Sequence, residues 1–94
     1  MNTEEAIALL DAELSRFRSC PYADLVRLMS DPLLDIERTG ASGAKYQIVI
    51  QAFWDNRPDG NVRVLASIDD RGWRGFVPLN RDFIKAPDES FVGE

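Results

Sequence analysis

The chain contains no histidine, and Cys20 is its single cysteine. No intrachain disulfide can form. Zinc sites of the usual Cys/His kinds are excluded, and so are Ser-His-Asp and Cys-His catalysis. Lysine is scarce as well: Lys45 and Lys85 are the only two among eleven basic residues, and the others are arginine. Sixteen acidic residues outnumber them and leave a net charge of −5. A sequence-independent nucleic-acid binder needs a basic face, so no nucleic acid is expected as a partner. A basic protein partner, drawn in by charge, is compatible with this balance. Long apolar runs are also missing. The longest, Ala6 to Leu10, is far too short to span a bilayer. Glu4 and Glu5 stand where a signal peptide would carry positive charge. The expectation is a cytoplasmic protein without membrane contact.

What is present is ordinary globular composition in 94 residues, read as a single domain over 1–94. The stretch that organises it runs from Ala44 to Leu79. Apolar residues alternate along it with the period of a strand buried on one face. Tyr46, Ile48, Ile50, Ala52 and Trp54 share one side of a first strand; Val62, Val64, Ala66 and Ile68 share one side of a second. Trp73, Val77 and Leu79 suggest a third, over 73–79. Pro58-Asp59-Gly60 fits a type I turn with glycine in the left-handed position after it, and Asp70-Arg71-Gly72 offers a similar reversal. Hairpin connections make neighbouring strands antiparallel.

Upstream, Asn2 or Thr3 can cap a helix, and Glu5 falls three residues after Asn2 as in a capping box. Ile7, Leu10, Leu14 and Phe17 recur on one helical face. Cys20-Pro21 starts a second, short helix with proline at its first position. Tyr22, Leu25, Val26 and Met29 form its apolar face, and Ser30-Asp31-Pro32 ends it. Leu33 to Thr39 reads as an edge strand, protected by Pro32 and by Asp35 and Glu37 on its outer side. Asn80-Arg81-Asp82 reads as a turn, Phe83-Ile84 as a local docking pair, and Phe91-Val92 as a final apolar pair. The expected fold is α+β: two N-terminal helices on one face of a four-stranded antiparallel meander, order 1-2-3-4.

Few residues offer chemistry. Cys20-Pro21 has the form of a haem-regulatory dipeptide but lacks a second ligand, so it reads as a helix start. Asp55 and Asp59 lie at one end of the strand that follows them and Asp69 and Asp70 at the other, roughly 25–30 Å apart. Each group is too small for a calcium site, so no metal, cofactor or catalytic residue is expected. Asp55, Arg57 and Asp59 approach Arg81 and Asp82 in a simple meander, as a set of surface ion pairs.

The outer side of the sheet says more. Val49, Phe53, Leu65 and Phe76 make an apolar patch among Gln47, Gln51, Arg63 and Arg74, which is the composition of an interface. Phe53, Arg63, Leu65, Arg74 and Phe76 are the candidate residues for binding a protein partner or a second copy. A competing expectation has the tail folding back so that Phe91 and Val92 cover the patch. An alternative site, for a small molecule or a weak enzymatic activity, is Asp69, Asp70, Arg71 and Trp73 beside the turn at 40–45.

The segments Val62-Arg63-Val64, Ser67-Ile68-Asp69-Asp70, Gly72-Trp73-Arg74, Pro78-Leu79, Asp82-Phe83-Ile84, Pro87-Asp88 and Ser90 to Glu94 resemble a family of small bacterial α+β proteins of unknown function. The resemblance covers the C-terminal third. It implies a bacterial cytosolic origin and carries over no functional residue. On residues alone the function expected is a non-enzymatic protein-interaction module, of which an immunity or inhibitor protein against a basic toxin is a specific form.

Overall fold

A computed structural model describes residues 2–31, 33–70 and 79–94. Asn2 is the N-cap of α1 (Thr3–Arg18), and its side-chain oxygen accepts from the Glu5 N–H at 3.0 Å. Glu4 and Glu5 open the helix and Arg16 and Arg18 close it, each sign placed favourably to the helix dipole. The buried stripe is Ala6, Leu10, Glu13 and Leu14, with Ile7 only half-buried at its margin. Alanine and a glutamate carry little hydrophobic signal, which is why spacing alone put Ile7 on the buried face with Leu10 and Leu14. Glu13 is buried because Arg38 and Arg16 donate to its two carboxylate oxygens, at 2.6 and 3.0 Å.

Pro21 is the extended N-cap of α2 (Tyr22–Leu28), rather than its first helical residue. The cap has no side-chain bond of its own. Glu89 from the far end of the chain supplies one, accepting the Tyr22 N–H at 2.9 Å.

The sheet is the expected one, four strands in order β1-β2-β3-β4 and antiparallel throughout, with the helices on one face. Its strands are β1 (Leu34–Thr39), β2 (Lys45–Trp54), β3 (Val62–Asp69) and β4 (Leu79–Lys85). The last corrects the sequence reading. Asn80-Arg81-Asp82 is strand rather than turn, paired with Ser67, Ala66 and Leu65. Phe83-Ile84 continues the same strand. The strand expected over 73–79 meets β4 only at Leu79, and Trp73, Val77 and the turn Asp70-Arg71-Gly72 beyond Asp70 lie outside the described residues. The inward positions of β4 are Leu79, Arg81, Phe83 and Lys85, so two of the four are charged and the alternation of apolar residues is hidden.

The core lies between helices and sheet. Ala6, Leu10, Leu14 and Leu25 meet Tyr46, Ile48, Ile50, Val62, Val64, Ala66, Ile68 and Phe83. The strand faces inferred for β2 and β3 are thus the buried ones. In the β2–β3 turn, Asp59 takes the left-handed conformation (φ 64°), and Gly60 does not. Aspartate tolerates that region. Gly60 is needed for space instead: a Cβ there would stand 2.5 Å from the Asn56 side-chain oxygen. Its carbonyl accepts from the Tyr22 hydroxyl at 2.6 Å, tying α2 to this turn. No described helix is long and apolar enough to cross a membrane.

Candidate interaction face

The side of the sheet away from the helices is built in rows, because residues directly opposite in antiparallel strands share a face. Phe53, Arg63 and Ile84 form one row; Gln51, Leu65 and Asp82 the next. Asp35, Val49, Ser67 and Asn80 form a third, and Glu37, Gln47 and Asp69 a fourth. Leu65 therefore sits at the centre, with Val49, Phe53 and Ile84 on its diagonals. Diagonal neighbours lie about 7–8 Å apart, within reach of large side chains. Leu65, Val49 and Ile84 are half-buried and Phe53 is 39% exposed. The sequence missed Ile84 as part of this face, because its strand was read as a turn followed by a local docking pair.

The polar members of the face hold one another. Arg63 donates to Asp55 at 3.0 Å and also to Asp82, so one guanidinium spans the β2–β3 turn and β4. Gln47 donates to Asp35 at 2.6 Å, and Ser67 to Asn80 at 2.6 Å. The Arg63 charge is reinforced by its hydrogen bond to Asp55 first and by the nearby Asp82 charge. Of the expected ion-pair set, Asp55 and Asp82 do meet, through Arg63. Arg81 turns to the helix side, 3.8 Å from Asp11. Among the described residues the face carries Asp35, Glu37, Asp55, Asp69 and Asp82 against Lys45 and Arg63, so acidic groups predominate there around the apolar centre.

Of the five partner-binding candidates, the structure brings Phe53, Arg63 and Leu65 together. Arg74 and Phe76 lie outside the described residues. The tail does not take the course that would cover this patch. Ala86 to Ser90 reverse the chain, and Phe91 bridges back to Lys85 on the helix side. There its ring meets Phe83 edge-on at 5.8 Å, and the Arg18 guanidinium lies 4.1 Å from its centre. Only Val92 reaches the outer side. Its N–H donates to the Ile84 carbonyl, placing it at the border of the face, where it is 40% exposed.

The alternative ligand site is less complete. Asp69 closes β3 opposite Gln47, and Asp70 follows; Arg71 and Trp73 lie outside the described residues. The group that fills the neighbouring turn is Glu5, a residue the sequence assigned to helix capping. Its carboxylate accepts the Ser42 N–H at 2.9 Å, the Ser42 hydroxyl at 2.7 Å and the Tyr46 hydroxyl at 3.0 Å. The Ser42 hydroxyl and N–H, with the Tyr46 hydroxyl, hold Glu5 below its ordinary pKa, while burial raises that of Tyr46. These contacts pin helix to turn. Among the described residues no group of three or more His, Cys, Asp or Glu side chains is placed to hold a metal ion.

Comparison with protein-family models, with curated proteins and with solved structures finds no match to this chain.

Proposed function

We propose that this protein is a non-enzymatic interaction module whose outer sheet face binds a basic protein. One observation carries the reading: Leu65 lies at the centre of a diagonal cluster with Val49, Phe53 and Ile84, inside a frame that, among the described residues, holds five acidic groups and two basic ones. An apolar centre supplies affinity on desolvation, and a charged rim supplies orientation and rate of encounter. The polar side chains of the frame are already fixed by Arg63, Gln47 and Ser67, so little ordering remains to be done on binding. An immunity-type inhibitor that blocks a basic toxin or nuclease in the cytosol is the specific form that size and charge favour.

The test is capture from native lysate by immobilised wild-type protein beside Leu65→Asp, with the variant first shown to melt as the wild type does. A stoichiometric basic partner that is lost on the variant, and weakened by added salt, supports the reading. Identical sets on both columns, or a salt-independent acidic partner, defeats it.

A further inference from the structure

A cleft lies at the edge of the sheet rather than on its face. β1 pairs with β2 only from Thr39 and Lys45 to Leu34 and Ile50, whereas β2 runs on to Trp54. Among the described residues no strand pairs with Gln51–Trp54 on that side. The chain before β1 diverges there, and a cleft of about 180 Å³ opens between it and β2. Leu28 and Met29 from the end of α2, Leu33 ahead of β1, and Ile50 and Ala52 of β2 line its apolar wall. Two of the four exposed large hydrophobic residues of the described chain line it, Leu33 at 61% and Phe53 at 39%, and a third, Leu34, follows Leu33 as the first residue of β1, opposite Ile50.

Two physical features define an occupant. Small-molecule pockets usually measure about 300–1,000 Å³, whereas about 150 Å³ already accommodates a benzene-sized group. The cleft is therefore the size of one large apolar side chain. The open edge beside it is unprotected: Gln51-Ala52-Phe53-Trp54 has neither charge nor proline, while the outer edge of β1 carries Asp35, Glu37 and Arg38. Natural edges are normally blunted by such residues unless they are used. Asp31 also lines the cleft, is exposed, and has no ion-pair partner among the described residues. With the net charge of −5, this favours a positive charge on the occupant.

We infer that this cleft receives an extended segment of a partner protein, which adds as a strand to the Gln51–Trp54 edge, seats one aromatic or large aliphatic side chain between Leu28, Leu33 and Ala52, and sets a basic residue against Asp31. Main-chain hydrogen bonds supply affinity in strand addition, and the side-chain pocket supplies specificity. The site is separate from the outer face, although Phe53 borders both.

The probe is a displayed library of random heptapeptides selected on the whole protein, followed by amide chemical-shift mapping with the enriched sequences. Enriched peptides will carry a basic residue near a large apolar one, and shifts will centre on Gln51–Trp54. Leu33→Ser, a change at an exposed position, will weaken them about tenfold, and Asp31→Asn about threefold. Methylating alternate peptide nitrogens on the paired edge will abolish binding, while Leu65→Asp leaves it unchanged. No enrichment, shifts centred elsewhere, or indifference to N-methylation overturns the inference. Concentration-dependent shifts of the same amides without peptide overturn it too, since the occupant would then be a second copy.

Discussion

The Lys85 ammonium donates to the Cys20 carbonyl at 2.7 Å across sixty-five residues of sequence, and to the Arg18 carbonyl at 3.2 Å. The Arg18 carbonyl is the last of α1, where the helix leaves acceptors unpaired and its dipole favours a cation, and the Cys20 carbonyl lies just beyond the C-cap. Glu89 stands 3.6 Å from the same ammonium and caps α2, and the Phe91 ring lies 5.1 Å away. The last strand and its tail thus lock the junction between the two helices.

Lys85→Met keeps the length of the side chain and removes its charge and donors. It will destabilise the protein by about 1–3 kcal/mol, since buried acceptors are left unsatisfied. Urea unfolding measures this; an unchanged midpoint would show that the ammonium is not holding the junction.

Leu10 is fully buried and Ile7 only half-buried on the same helix. Leu10→Ala will cost about 2–5 kcal/mol, the range for emptying a packed leucine site. Ile7→Ala will cost clearly less. Equal losses in thermal denaturation would contradict the orientation of α1.

Gly40 and Glu5 occupy one small space. A Cβ on Gly40 would stand 1.8 Å from a Glu5 carboxylate oxygen, so Gly40→Ala must expel that carboxylate from Ser42 and Tyr46. Gly40→Ala and Glu5→Gln will therefore each destabilise the protein, and the double variant will lose less than the two losses added. A double-mutant cycle reads this coupling.

The same carboxylate contributes to acid sensitivity. Ser42 first, then Tyr46, lowers the Glu5 pKa from its ordinary 4.5. The folded state therefore binds the proton less readily than the unfolded state. The stability from these contacts is complete above pH 4.5 and falls away as pH drops through the lower folded value. Asp88, held low by the Ser90 hydroxyl and N–H, and Glu94, held low by Arg18, act in the same direction. Glu5→Gln will flatten the acid limb of the stability profile, and a limb of unchanged steepness would remove Glu5 from its cause.

Arg63→Ala cuts the links to Asp55 and Asp82, both partly exposed. Stability will change by no more than about 1 kcal/mol, as for exposed ion pairs generally. If the outer face binds a basic partner, affinity will persist or rise as the face becomes more negative. Titration calorimetry with the captured partner checks this.

Local rules were enough for much of the architecture. Alternation along Tyr46–Trp54 and Val62–Ile68 gave the buried faces directly, because the strand period of two leaves no other side for them. Capping at Asn2 and charge placement in α1 were equally local. Leu65 and Phe53 could be placed on the outer face by the same alternation. The last strand could not be read in this way. Arg81 and Lys85 stand at inward positions; Arg81 stays exposed beside Asp11, while the buried Lys85 ammonium is held by Glu89 and by the carbonyls of Arg18 and Cys20. Those partners are distant in sequence and adjacent only in the fold. The same holds for Glu5, whose N–H keeps its local bond to Asn2 while its carboxylate goes to Ser42 and Tyr46, and for Phe91, drawn to the helix side by Phe83 and Arg18. Sequence alone determined the period and sidedness of each element whose neighbours are solvent or hydrocarbon. Tertiary structure decided every position where a charge is buried or a tail must choose a face, because the energies there come from partners that the chain brings together only once it has folded.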